Sequence, residues 1–393
     1  MFARLEGGPP MRSTACPVVL GLLLAATPGG AAVIRVHRGH SIQAAVDAAS
    51  PGDHILVYPG TYHEAGTPCP TDAAHRCAVV VTKDNVKLIA LAHKTKPVIV
   101  ENPGGQDQGI AFAKSSAMGP GCLTDATQRI KGIGLTGFTV NGFSGEGAFI
   151  FCADNWQVRT TTTNDNGEYG IFPSHCGRGR VTRSTATGSN DTGIYVGQSH
   201  DVRVDHNLAT GNVSGFEIEN SSNVRLDHNE ATGNTGGILS FTLPGLDVAL
   251  NHNNRIDHNR SHDNNKPNTC LDPSDDVCLV PRGTGMLILA ADTNEVDHNV
   301  VTGNGTGGIA LVTGCLVASC DPTPPPGYDP KPDADRFEHN TVTGNGLAPD
   351  PTYTSLAADL IDVPGASDAG ECWKDNTFTS QFPGPPFVFP ACP

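Results

Sequence analysis

Residues 192–212 read TGIYVGQSHDVRVDHNLATGN, and residues 214–234 read SGFEIENSSNVRLDHNEATGN. Laid over one another, these two stretches decide the fold. Ile194 and Val196 alternate with Tyr195 and Gly197, and Val202 and Val204 alternate with Arg203 and Asp205. Period two is the pattern of a β-strand with one face inward. Neither stretch has room for a helix, so successive units stack parallel strands, each coil rising about 4.8 Å.

The unit recurs outward from there. DHN occurs at 205–207, 227–229, 257–259 and 297–299, and EHN at 338–340. A second Asn follows each one: Asn212, Asn234, Asn264, Asn304 and Asn345. Successive HN pairs lie 22, 30, 40 and 41 residues apart. With a bare coil of 22, the excesses of 8, 18 and 19 fall at 243–251, 266–281 and 313–333. Insertions between strands leave a solenoid in register. A stacked Asn at a tight bend can adopt the left-handed conformation and bond the next coil's backbone, which predicts Asn ladders. A leucine-rich repeat shares the period but needs regular Leu and a helical return. Here the inward residues are Val, Ile and Phe. The expected class is all-β: a right-handed parallel β-helix solenoid, with an N-terminal capping helix and disulfide-stapled loop insertions.

Segments outside the repeats fit this layout. In SIQAAVDAAS (41–50), Ile42, Ala45, Val46 and Ala49 share a helical face that Pro51-Gly52 terminates. Such a helix would close the first end of the solenoid, whose edge strands need covering. The expected organisation is an export signal over 1–32, a cap and first coils over 33–105, repeats over 106–345, and a closing tail over 346–393. The signal reading rests on Arg12, the apolar run Val18 to Ala26 and the small residues Ala31-Ala32, with Met11 an alternative start. No later run is long enough to span a membrane. The protein is expected to be secreted or periplasmic, and a monomer.

Cysteine usage agrees with an oxidising compartment. Of twelve Cys, Cys16 would leave with the signal. Cys69/Cys77, Cys270/Cys278, Cys315/Cys320 and Cys372/Cys392 are near neighbours that would each staple a loop. Cys122, Cys152 and Cys176 remain, so one thiol is left over. Removing residues 1–32 leaves 23 basic against 39 acidic residues, a net charge of −16. With no basic patch, nucleic acid is not an expected partner.

The stretch SIQAAVDAASPGDHILVYPGTYHE (41–64) resembles the entry segment of the pectin-lyase-like superfamily, and the later units resemble its short parallel β-helix repeats, as in NosD-like periplasmic proteins. The resemblance covers about residues 33–345. It implies a fold and leaves the activity open among lyases, hydrolases, esterases, epimerases and proteins without catalysis. Motifs that would choose among these are missing. Arg129-Ile130-Lys131 matches the RIK of polygalacturonases but stands ahead of the repeats without a GHG. Asp272-Pro273-Ser274-Asp275 only approaches the DPHD of mannuronan epimerases.

Three constellations could carry chemistry. His206, His228, His258, His298 and His339 should stack at coil spacing, either lining a turn or offering nitrogens to a soft divalent metal. Arg203, Arg225, Arg255 and Arg336 recur two residues before Asp205, Asp227, Asp257 and Glu338, as a mutually screened solvated face or a polyanion-binding stripe. On the strand that opens each coil, the outward residues change from Tyr195, Glu217 and Glu219 to Leu239, Phe241, Leu287 and Leu289. Loops beside that strand would form a groove. Glu217 and Glu219, two residues or about 6.6 Å apart along a strand, could serve glycoside hydrolysis, with Tyr195 and His175 as further catalytic candidates. With Asp191 they could instead hold Ca²⁺. No cofactor is required. The expected function is binding or processing of an extracellular polysaccharide in a lyase-, hydrolase- or epimerase-like manner. The alternative is a non-catalytic cell-surface or structural β-helix.

Overall fold

The computed structural model describes residues 30–114, 121–321, 323–363 and 370–393. Most of the expected export signal, including Cys16, lies outside these residues. The chain winds into three stacked sheets. Sheet A has 13 strands, sheet B 10 and sheet C 12, and each coil passes from C to A to B. Within the coil quoted first, Thr192–Gly197 belongs to C, His200–Asp205 to A and Leu208–Thr210 to B. All sheet pairings are parallel except one, Thr67–Pro68 against Arg76–Val81. The architecture is a right-handed parallel β-helix.

The register follows the sequence pattern. Ile171, Ile194, Phe216, Ile238, Met286, Ile309 and Leu360 form one inward column of sheet C. Each is buried, and together with the Val and Leu columns of A and B they fill one continuous core. All three expected insertions fall at sheet corners. Residues 243–251 and 313–333 lie between C and A, and residues 266–281 between B and C. A further insertion precedes Ala358–Asp362, which adds one more strand to sheet C.

Both ends are closed. The helix Ile42–Ala48 buries Ile42, Ala45 and Val46, with Ser41 as its N-cap. At the far end Trp373 stacks on Phe337 at 3.9 Å and meets Phe389 at 4.5 Å, and Cys372–Cys392 ties the tail down. The four expected local disulfides are present, Cys122 pairs with Cys152, and Cys176 is the free, buried thiol among the described residues. Among the described residues, no helix is long and apolar enough to cross a membrane.

The structure revises how the turns are built. The left-handed residue at the A-to-B corner is the His of DHN: His206, His228, His258, His298 and His339 have φ between 55° and 57°. The following Asn points inward. Asn229 Nδ2 donates to Val204 O at 2.8 Å and to Asn259 Oδ1 at 3.0 Å, while its Oδ1 accepts from Asn207 N at 3.0 Å. A second ladder runs through Asn212, Asn234, Asn264, Asn304 and Asn345 at the B-to-C corner.

The charged rows are also not a simple solvated face. Each Arg reaches to the Asp of the next coil: Arg180 to Asp205, Arg203 to Asp227 and Arg225 to Asp257, each through Nε and Nη2. The Asp side chains are buried beneath the guanidinium groups. Glu295 interrupts the Arg row between Arg255 and Arg336.

Candidate functional site

Sheet C carries the groove. Its outward positions form two columns. In the first, Phe149 aligns with Phe172, Tyr195 with Glu217, and Glu217 with Leu239. In the second, Ser174 aligns with Gly197, Gly197 with Glu219, and Glu219 with Phe241. The 266–281 insertion folds over these columns, held by Cys270–Cys278. Between insertion and sheet lies a cavity of about 580 Å³. It is lined by Tyr169, Tyr195, Leu239, Phe241, Leu287 and Leu289, and by the carboxylates Glu168, Asp191, Glu217, Glu219, Asp272, Asp275 and Asp276. No Lys or Arg is among the described residues lining it.

Tyr195, Glu217, Glu219 and Asp191 are brought together here. The Tyr195 hydroxyl donates to Glu219, and Gln198 Nε2 donates to both, at 3.2 Å to the phenol oxygen and 3.4 Å to the carboxylate. The phenol reaches Glu219 by crossing over Gly197, where a Cβ would overlap its ring. Asp191 stands at the B-to-C corner and accepts from Thr192 Oγ1 at 2.9 Å. His175 is placed differently. It occupies the C-to-A corner outside this cavity, with Nε2 3.0 Å from Asp247 and Nδ1 2.8 Å from Ser174 Oγ. Burial lowers its pKa, and the Asp247 contact works against that.

The electrostatics of the cluster are those of acids removed from water without counter-ions. Burial pushes Glu217 up to about 8, with the Asp191 charge adding to it and a Thr192 bond opposing. Burial raises Glu219 to about 7, against the bonds from Tyr195 and Gln198. Asp191 rises to about 6 by burial, against bonds from Tyr169 and Thr192. Burial keeps the Tyr195 phenol protonated, so it remains a donor. Neighbouring carboxyl groups raised this far from their ordinary values can share protons and serve as acid and base near neutral pH.

The carboxylate oxygens of Asp191, Glu217 and Glu219 do not form a set of three within 4.8 Å of one another. The one set of three ligand atoms within 4.8 Å of one another among the described residues is Glu338, Cys372 and Cys392, and those cysteines are disulfide-bonded. Arg129 of the RIK tripeptide is buried and pairs with Asp154 at 2.9 Å, a structural role.

Two features escape a reading of the DHN repeats. The first is an aromatic row. Phe149 stacks with Phe172 at 5.7 Å and Phe172 with Tyr195 at 4.5 Å, with Phe151 and Tyr169 alongside. Its signal is Gly-x-aromatic at 147–149, 170–172 and 193–195, in the two units that precede the DHN series and in its first member. The row leads into a second hollow of about 320 Å³, lined by Asp72, His75, Asp107, Glu146, Phe149 and Phe172. The second feature is the pair Asp275 and Asp276 on the roof. Their charges raise Asp191 and Glu219 respectively from across the cavity.

Comparison with known proteins supports the fold. The sequence family described as "Right handed beta helix region" matches residues 131–251. No curated protein matches the chain by sequence. Among solved structures, the A-module of the mannuronan C-5 epimerase AlgE4 of Azotobacter vinelandii aligns with a TM-score of 0.62 at 19% identity, over 86% of this chain and 90% of that one. The A-module of AlgE6 from the same organism aligns at 0.59 and 18% identity, over 88% and 95%. The tailspike protein of E. coli bacteriophage HK620, in complex with a pentasaccharide, aligns at 0.57 and 13% identity, over 89% of this chain and 60% of that one. At identities this low, the superpositions establish a shared β-helix fold and no more.

Proposed function

We propose that this is a secreted or periplasmic protein that binds a polysaccharide along sheet C and hydrolyses it at the roofed end of the groove. The observation that carries this reading is the aromatic row Phe149, Phe172 and Tyr195 ending at Glu217 and Glu219. The rings lie face to face with one another, and Phe149 and Tyr195 are only 5% and 4% exposed, so the row lines the groove with apolar edges, while the carboxyl groups at its end give hydroxyl partners and proton transfer. Glu217, raised furthest, is suited to donate a proton to a leaving oxygen. Glu219, whose charge the Tyr195 hydroxyl stabilises, is suited to act as the carboxylate.

The same groove disfavours lyase or epimerase chemistry on a bare uronate, because no Lys or Arg among its described lining residues would neutralise the sugar carboxylate. A neutral glycan fits this surface, and an anionic one would need Ca²⁺ to bridge it to Asp191, Glu217 and Glu219. That one fold neighbour is a mannuronan epimerase and another holds a pentasaccharide lends this reading support at the level of the scaffold.

The test is a turnover and binding screen of purified protein on neutral and uronate polysaccharides, with and without Ca²⁺. Glu217→Gln keeps shape and removes the proton donor. It should abolish turnover while retaining binding, and Glu219→Gln should do the same. Full activity in both variants would mean that the site lies elsewhere. Binding without turnover in the wild type would favour a non-catalytic glycan-binding β-helix.

A further inference from the structure

The five histidines of the repeat form a structure of their own on another face. His206 and His228 stack with centroids 5.1 Å apart and planes within 5°, and His228 and His258 do the same. His258 and His298 are 5.0 Å apart and within 2°. His339 continues the stack with a 38° tilt. The spacing is that of the coils, because each ring stands on the same left-handed turn residue.

What separates these rings from an ordinary surface row is their anchoring. Nδ1 of His206, His228, His258 and His298 lies 2.8, 2.9, 2.9 and 2.8 Å from Oδ2 of the preceding Asp. Those Asp residues are buried and accept from Arg on the previous coil. Asp205, for example, takes both Nε and Nη2 of Arg180, the two-point pairing of a carboxylate with a guanidinium. An ionised carboxylate only accepts, so the ring proton belongs on Nδ1. Nε2 then carries the lone pair on the outward side. The four side chains are 48%, 47%, 45% and 49% exposed. His206, His228 and His258 line a shallow trough of about 560 Å³.

A carboxylate behind Nδ1 is the outer-shell arrangement that fixes the tautomer of a metal-binding histidine and raises its basicity. The geometry points to a metal-binding ladder in which neighbouring Nε2 atoms of His206, His228, His258 and His298 chelate first-row divalent ions of the imidazole-preferring class, Cu²⁺ or Zn²⁺. Two nitrogens each about 2.0–2.1 Å from one ion stand at most about 4.2 Å apart. Because each Nε2 lone pair lies in its own ring plane, parallel rings with centroids 5.0–5.1 Å apart must both close by about 1 Å and turn their planes toward one another to share an ion, a rearrangement for which these side chains are exposed enough. Four anchored rings in a row make three adjacent pairs, of which at most two share no ring, so two ions per chain are expected. The ladder lies on the A-to-B corner, so its occupation does not depend on the carboxylates of sheet C.

The test is Cu²⁺ titration of the purified full chain, read by calorimetry and electron paramagnetic resonance. The wild type should bind about two ions with the nitrogen splitting of two imidazoles per ion. The double variant His228→Asn with His298→Asn leaves no adjacent pair among the four anchored rings, and Asn tolerates the left-handed turn. It should keep the wild-type melting temperature and lose the two-nitrogen signal, with affinity lowered at least tenfold. Wild-type binding no tighter than that of the variant would overturn the proposal. Loss of binding in Glu217→Gln with retention in the histidine variant would overturn it too, by assigning the ions to sheet C.

Discussion

The phenol of Tyr195 donates its proton to the carboxylate of Glu219 one coil away, reaching it across Gly197. This bond lowers the Glu219 pKa against the burial that raises it to about 7. Tyr195→Phe keeps the ring on Phe172 and deletes the donor, so the Glu219 pKa should move above its present value. The expected outcome is an upward shift of the acidic limb of the pH profile for turnover, with glycan affinity nearly unchanged. An unshifted limb would mean that Glu219 is not the titrating base.

The acid cluster also predicts a direction for stability against pH. Glu217, Glu219 and Asp191 have folded pKa values raised to about 8, 7 and 6. A raised carboxyl pKa means the folded state holds its proton more tightly, so this contribution is complete below the unfolded range near about 4 and is lost as pH rises through those values. Thermal melting should therefore move down between about pH 5 and pH 9. Glu217→Gln should flatten that decline and melt above the wild type at the alkaline end. Below about pH 4 the sign reverses, because Asp205, held at about 2, gives up its stabilising charge.

The interior ladder gives a third expectation. Asn229→Ala removes the side-chain bonds to Val204 O, Asn259 Oδ1 and Asn207 N; Asn259 Oδ1 keeps the bond from the Asn229 backbone N–H, while the buried Asn207 N–H loses its acceptor. A loss of about 1–3 kcal/mol follows from the buried polar groups left without partners. Denaturant unfolding measures it. A midpoint equal to that of the wild type would show that the neighbouring rungs close the gap.

Cysteine chemistry supplies the fourth. Peptide mapping without reductant should return Cys69–Cys77, Cys122–Cys152, Cys270–Cys278, Cys315–Cys320 and Cys372–Cys392. Burial pushes the Cys176 thiol up to about 12. Alkylation at about pH 8 should therefore miss Cys176 in the native protein and reach it in denaturant. Native labelling of Cys176 would contradict its placement beneath the C-to-A corner.

The period-two alternation and the DHN spacing were enough to place strands, corners and insertions, because a solenoid's contacts are between successive coils and repeat in the sequence. The assignment of roles within DHN was not legible. Which residue takes the left-handed turn and which points inward depends on the backbone, and both His and Asn tolerate that conformation. Glu217 and Glu219 are legible as a pair on one strand face, with Asp191 beside it at the corner that opens the preceding coil. His175 was grouped with them by proximity in the coil, yet it belongs to the opposite corner of the sheet. The Asp275–Asp276 pair was hidden for another reason: an insertion has no register, so nothing in its sequence says where it folds back.

The stacked rings of Phe337, Trp373 and Phe389 have a consequence beyond closing the core. Sheets of 13, 10 and 12 strands end in rows of backbone groups that could template further growth. With the plug in place, a second molecule cannot dock its first coil onto the last rung of this one. Truncation before Cys372 would bare that edge at one end only, because the helix Ile42–Ala48 still covers the other, so paired molecules joined by their bared ends would be expected in place of a monodisperse monomer.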